Sequence, residues 1–243
     1  MIKWPELRNR CAMLTPPLPW DRPRWRPREG ETVVLLHGLW RGWRAMEPME
    51  RGLAGEQWST LNIPYPSTRL PIEIIARFVR AEVEKVAAGK RVHFVTHSLG
   101  GIIARSLLAN DPQWERGRLV MLAAPNQGSE IVDWANSRPA LSLPLGPSGR
   151  QLGSRGIPSE LPALPDGLEA AVIMGKRSLL PFFRKLLDAE NDGIVSAPGG
   201  RIPGLREFAV IDADHTFIQM HPDVIRRTCE FLREGSFRPD GSQ

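Results

Sequence analysis

Apolar residues fall along this chain in two ways: short unbroken runs, and longer stretches where they recur every three or four positions. Thr32–Leu36, Arg91–His97, residues 118–123, residues 168–174 and Glu207–Ile211 are largely runs of the first kind, rich in Val, Ile, Leu and Phe, and Ser59–Ile63 reads as a further short strand closed by Pro64. Continuous apolar character over five to eight residues is the mark of strands buried on both faces, as parallel strands are. Between them, residues 71–88 carry Ile74, Ile75, Phe78, Val79, Val83 and Val86 at helical spacing, with Pro71 suited to a first turn and Gly89 to a stop. Helical patterns are also predicted for residues 43–54, from Gly100 to about 110, around 179–187, and for 222–232, where Val224, Ile225, Cys229 and Leu232 share a face. Strands alternating with helices predict an α/β fold, a doubly wound and mostly parallel sheet with helices on both faces.

Three segments depart from this alternation. Residues 1–30 are rich in Pro, Trp and Arg without regular period and read as an extended arm or an edge strand. From about residue 137 to 167 the composition shifts to Pro, Gly, Ser and Leu, marking an insertion at about 129–165 in the 31–234 domain, and such a long stretch of weak period is usually a functional cover or a mobile loop. We expect a small lid with Leu141, Leu143, Leu145, Leu152, Leu161 and Leu164 turned to a ligand; a loop packing those leucines on the body is the alternative. Residues 235–243 form a polar tail.

Ligands of doubly wound sheets lie at the carboxyl ends of the strands. That rule selects His37-Gly38-Leu39, Ser98, Asn126, the region from Gly175 to Asp192, and Asp212 to His215. Ser98 is held in Thr96-His97-Ser98-Leu99-Gly100-Gly101, between a strand and a helix, beside the unpaired N–H groups of a helix start. A Ser at that place is either a helix cap or a nucleophile with an oxyanion site next to it. A second Ser-x-Gly, Ser154-Arg155-Gly156, has no strand before it. Among five histidines, His215 lies just past the last strand, where a general base reaches Ser98; His221 is the runner-up. His37 and His93 read as structural, and His97 as pointing away from the Ser98 hydroxyl. Asp192, in the turn Asn191-Asp192-Gly193, is the candidate that orients the imidazole, ahead of Asp188, Asp212 and Asp214. The N–H groups of Leu39 and Leu99 are the candidate oxyanion donors. Trp40 and Trp43 follow the first turn, and Trp40, Leu141 and Leu143 are candidates for the pocket wall.

The order Ser…Asp…His, the strand–turn–helix around Ser98, His37-Gly38, Tyr65-Pro66-Ser67, Ala124-Pro125-Asn126-Gln127-Gly128 and Asp192-Gly193-Ile194-Val195 together carry a resemblance. Over residues 31–234 the chain resembles the α/β-hydrolase superfamily, and within it small bacterial lipases and esterases, including lipase-like relatives of the inositol-deacylase group. It departs from the usual pattern where Thr96 replaces the first glycine before the serine. The resemblance implies hydrolysis of a small-molecule or lipid carboxylic ester through an acyl-enzyme, without cofactor or metal. Acyl transfer, thioester hydrolysis on the same residues, and a non-catalytic binding protein of this fold are the competing readings.

Composition narrows the remaining classes. The 243 residues are 42% hydrophobic and 24% charged, enough for a sizeable core. Two cysteines, Cys11 and Cys229, allow one bridge at most and show no zinc-type spacing. The net charge of +5 invites a nucleic-acid reading, but the one dense cluster, Arg22, Arg24, Arg26 and Arg28, is interleaved with Pro and Trp. It reads as an arm pinned by its tryptophans, and no nucleic-acid partner is expected. The first residues lack a secretory pattern and no run reaches the length of a membrane span, so a cytoplasmic protein is expected.

Overall fold

The apolar runs become one sheet in the computed structural model, which describes residues 10–87, 89–109, 114–156, 160–179, 186–187 and 190–237. Its strands are β1 (Arg24–Arg26), β2 (Thr32–Leu36), β3 (Ser59–Ile63), β4 (Arg91–His97), β5 (Glu115–Leu122), β6 (Ala170–Gly175) and β7 (Glu207–Ile211). They lie in the order β1-β3-β2-β4-β5-β6-β7. Every neighbouring pair is parallel except β1 with β3. β2, β3 and β6 are buried along their whole length; β2 and β6 read as nearly unbroken apolar runs for that reason, whereas β3 also buries the polar Ser59, Thr60 and Asn62.

The helices are α1 (Glu47–Gly55), α2 (Ile72–Ala87), α3 (Leu99–Leu108), α4 (Glu130–Asn136), α5 (Pro139–Ser142), α6 (Gly146–Arg150) and α7 (Pro222–Glu234). Two apolar clusters sandwich the sheet. One packs Ile75, Val79 and Val83 of α2 and Ile102 and Ile103 of α3 on Val34, Phe94 and Met121. The other packs Met49 and Leu53 of α1 and Val224 and Phe231 of α7 on Val33, Val95 and Val120. Alternate residues of each strand thus feed opposite layers. No helix among the described residues is long and apolar enough to cross a membrane.

Several boundaries differ from the pattern, each for a physical reason. β5 begins at Glu115, before its apolar run, because Glu115 and Arg116 pair in register with Arg91 and Val92 at the exposed end of β4. The helix expected from residue 43 starts as a 3₁₀ turn, Trp43–Met46, ahead of α1. The helix expected around 179–187 falls mostly on residues outside those described. In the N-terminal arm, Trp25 lies opposite Leu61 in the edge strand β1, between Pro23 and Pro27. Its arginines are engaged within the fold: the Arg24 guanidinium lies 3.6 Å from the Trp43 ring centre, and Arg26 Nε lies 3.0 Å from buried Glu50.

β2 sits between β3 and β4, so the chain winds outward to β3 and crosses back over β2 to reach β4. The carboxyl ends of β2 and β4 therefore flank a topological switch point, the place where such sheets bind ligands.

Candidate active site

Ser98 joins β4 to α3 with φ 52° and ψ −119°. A non-glycine residue in this region costs on the order of 1–3 kcal/mol and persists only where its surroundings hold it. Here its N–H donates to Leu122 O at 2.8 Å and its carbonyl accepts from Gly101 N–H at 2.9 Å. The helix start is pressed onto β2: a Cβ on Gly100 would lie 2.6 Å from Leu36 O, so only glycine fits there. Thr96, where the pattern has its first glycine, is fully buried, and its hydroxyl donates to Val120 O at 3.3 Å. A Cβ on Gly101 would lie 3.4 Å from that hydroxyl oxygen and 2.8 Å from Ala124 Cβ. The glycine across the gap supplies the room that Thr96 takes.

The Ser98 hydroxyl donates to His215 Nε2 at 3.0 Å. His215 Nδ1–H donates in turn to Asp192 Oδ2 at 2.8 Å. The Asp192 side chain is fully buried, and its other oxygen, Oδ1, accepts the N–H groups of Ile194 and Val195 at 3.0 and 2.8 Å. The turn predicted from Asn191-Asp192-Gly193 thus aims one carboxylate oxygen and anchors the other. His215 is placed by its neighbours: its N–H donates to Asp192 O at 3.3 Å, and Asp214 Oδ1 caps the turn by accepting from Thr216 and Phe217 N–H. The three residues singled out by strand-end position stand in one hydrogen-bonded line. Of the other acids, Asp212 pairs with Arg177 at 2.8 Å, away from the line, and Asp188 lies outside the described residues. A base held at hydrogen-bond distance from a hydroxyl, itself oriented by a carboxylate, is the arrangement that activates a serine.

Three of the other histidines brace, and His221, the runner-up, is the N-cap residue of α7 and takes no part in the line. His93 Nε2 lies 2.7 Å from Glu31 Oε2, and its Nδ1 accepts Arg118 N–H at 3.0 Å. His97 Nε2–H donates to His215 O at 2.8 Å. His37 stacks on Tyr65 with ring centres 3.9 Å apart, accepts Tyr65 N–H through Nε2 at 3.2 Å, and receives the Tyr65 hydroxyl on its carbonyl. Ser67 Oγ accepts Trp40 N–H at 3.1 Å. Tyr65-Pro66-Ser67 therefore clamps the loop that carries Gly38 and Leu39. Burial pushes the His37 pKa from 6.5 down to about 4, and burial, with His215 and Arg41 nearby, holds His97 well below its ordinary value.

A consequence for stability follows. As pH falls from about 6.5 to about 4, the unfolded chain takes up a proton at His37 that the folded chain refuses, so stability is full above this window and lost across it. His37 alone contributes on the order of 3 kcal/mol to that loss. Urea midpoints measured from pH 7 to pH 4 are expected to fall steadily, and His37→Gln to flatten the slope; a midpoint independent of pH in this range would contradict the assignment.

Gly38 brings the first-strand loop against Ser98: a Cβ there would lie 2.9 Å from His97 Nδ1 and 3.3 Å from Ser98 Cβ. Leu39 N–H follows directly, and Leu99, first residue of α3, has its N–H outside the helix ladder. Leu39, Ser98 and His215 line a cavity of about 280 Å³. Its far wall is apolar: Ile131, Val132, Trp134 and Ala135 of α4, with Leu141, Leu145 and Leu152.

The lining corrects part of the expected wall. Trp40 and Leu141 belong to it, whereas Leu143 is 74% exposed and faces away. Leu141 and Leu145 are four residues apart in a helical stretch and share a face; Leu143, two residues on, points opposite. Leu161 and Leu164 pack on the core instead, and Trp43 holds Asp21 through Nε1 at 3.1 Å. The segment is docked to the body by Trp40 Nε1 donating to Pro144 O at 3.0 Å and by Ser148 donating to Ser67 O. α4 and Arg41 line the cavity without having been singled out. The signal for α4 was Ile131, Val132 and Ala135 after Ser129 and Glu130, spread over only seven residues.

Asn126 is structural: its Nδ2 donates to Gly200 O at 2.8 Å, and Arg105 Nη1 donates to its carbonyl at 3.1 Å. Cys11 and Cys229 are both free thiols.

Comparison with known proteins agrees with this architecture. The chain is similar in fold to the Bacillus licheniformis lipase BlEst2 in mature form, with a TM-score of 0.71 at 19% identity over 88% of this chain and 98% of that one. The metagenomic carboxyl esterase MGS0156 is similar with a TM-score of 0.57 at 23% identity, over 76% of this chain and 64% of that one. Phospholipase PlaB from Legionella pneumophila is similar with a TM-score of 0.53 at 21% identity, over 71% of this chain and 46% of that one. Among curated proteins none matches the sequence significantly. The family model described as "Alpha/beta hydrolase family" matches residues 33–190, from β2 past β6. The chain belongs to the alpha/beta hydrolase family.

Proposed function

We propose that the chain is a serine hydrolase of carboxylic esters, an esterase or lipase, with Ser98 as nucleophile, His215 as general base and acid, and Asp192 as its orienting partner. The observation that carries this reading is the continuous line from Ser98 Oγ through His215 to buried Asp192, standing at the floor of an apolar cavity. Ser98 Oγ attacks the ester carbonyl while its proton passes to His215 Nε2. The carbonyl oxygen takes the negative charge and is held by Leu39 and Leu99 N–H, donors worth about 2.7–4 kcal/mol each to the transition state. His215 then protonates the departing alkoxide, leaving an acyl group on Ser98. Water attacks that acyl group by the same proton route in reverse, releasing the acid and restoring the hydroxyl.

The apolar wall from α4, Leu141 and Leu145 receives the acyl chain, and residues 129–152 act as its cover. The likeness to a lipase and to a carboxyl esterase supports the same class. At about 280 Å³ the cavity is near the lower bound of small-ligand clefts. Nitrophenyl esters graded from acetyl to palmitoyl are expected to show a maximum in kcat/KM at short to medium chains, with acyl thioesters of the same length turned over more slowly. A maximum at palmitoyl would contradict the assigned cavity, and a preference for thioesters would favour the thioesterase reading.

A further inference from the structure

The cavity that holds Ser98 is one arm of the site. A second groove opens beside His215, lined by Leu14, Leu179 and Phe217 together with Asp192 and Asp214. The two share Arg41, Ile194, His215 and Thr216. The first arm is walled by α4 and its neighbours and the second is open, so an ester seated at Ser98 sends its acyl chain into the first and its alcohol half past His215 toward the second.

Arg41 stands at the junction, two residues beyond Leu39. Its guanidinium is half-buried and has no ion-pair partner among the described residues. Its one side-chain hydrogen bond there is a 3.5 Å donation to Trp40 O. The nearby carboxylates are committed elsewhere: Asp192 to His215 and two backbone amides, Asp214 to the Thr216 and Phe217 amides, Asp21 to Arg44. Burial lowers the Arg41 pKa. An arginine desolvated at the rim of a reaction site without a counter-charge is poised for an anion from outside, and its planar fork suits phosphate and carboxylate alike.

Resting on the ester-hydrolase reading, we propose that Arg41 is a specificity-determining residue that binds a phosphate or carboxylate on the alcohol half of the substrate. The substrate class is then an acyl ester of an anionic alcohol rather than a neutral one.

The test compares three octanoyl esters within each protein: octanoylglycerol, octanoylglycerol phosphate and octanoyl lactate, all below their aggregation limits. In the unmodified protein kcat/KM is expected to favour at least one anionic ester over the neutral one by about tenfold or more. The ratio should shrink toward one at high salt. Arg41→Gln should abolish the ratio and Arg41→Lys retain part of it. Because each ratio is taken within one protein, partial misfolding of a variant does not imitate the result. A preference confined to the phosphate ester assigns a phosphoalcohol, one confined to the lactate ester assigns a carboxylate. A ratio near one in the unmodified protein, or an unchanged ratio in Arg41→Gln, overturns the proposal. If no ester of any kind is hydrolysed, it is the ester-hydrolase reading that fails.

Discussion

Ser98→Ala is expected to lower turnover of short nitrophenyl esters by about 10⁴- to 10⁶-fold while leaving the fold intact. The size of the loss follows from what is removed. Among the described residues no other hydroxyl is hydrogen-bonded to His215 Nε2, so the variant keeps an oriented base but has nothing to acylate. What survives is attack by water in the same pocket, held by the Leu39 and Leu99 amides. The fold tolerates the change because the side chain makes no other bond among the described residues. Its strained backbone is held by the main-chain bonds to Leu122 and Gly101, which alanine keeps. A melting temperature within a few degrees of the unmodified protein, together with loss of turnover, separates chemistry from stability.

The second large effect belongs to Asp192→Asn, expected to cost about 10⁴-fold in kcat with little change in KM. The direction comes from the two halves of the carboxylate. Oδ1 accepts Ile194 and Val195 N–H, so the asparagine must keep its carbonyl oxygen there, and its NH₂ is forced toward His215 Nδ1. Nδ1 then accepts instead of donating, the proton moves to Nε2, and the imidazole presents a donor to Ser98 rather than a base. The substitution is isosteric in a fully buried site, so the loss arises from the tautomer and not from a cavity. A kcat within tenfold of the unmodified protein would show that Asp192 does not orient the base.

Much of this site was legible before the fold was seen because its residues sit at strand ends, and the strands announce themselves. Val33 to Leu36, Phe94 to Val95 and Leu119 to Leu122 are buried on both faces, so their runs are unbroken and their ends well marked. Ser98, Asp192 and His215 follow such ends in chain order, and each also carries a turn signal of its own. The wall of the cavity was harder to read. Its residues come from short helical pieces in which one step of sequence changes the face, so Leu141 lines the cavity while Leu143 meets solvent. α4 is too short for periodicity to stand out from its surroundings. Arg41 carried no signal because the chain has 32 basic residues, and what distinguishes it, the lack of a carboxylate partner among the described residues, is a property of the fold alone.

The tolerance of Thr96 has the same character. The motif's glycine is needed where helix and strand crowd, and here the crowding is relieved from the helix side by Gly101 and anchored by the hydroxyl bond to Val120. The strained turn at Ser98 is therefore reached with a bulkier residue before it.

The central claim is that Ser98 is the nucleophile, and covalent labelling tests it most directly. The protein is treated with a fluorophosphonate, digested, and the modified peptide identified by mass spectrometry. A single adduct on Ser98, absent from Ser98→Ala and strongly slowed in Asp192→Asn, is the predicted result. No adduct on the folded protein, or an adduct carried by Ser154 with Ser98 untouched, would contradict it.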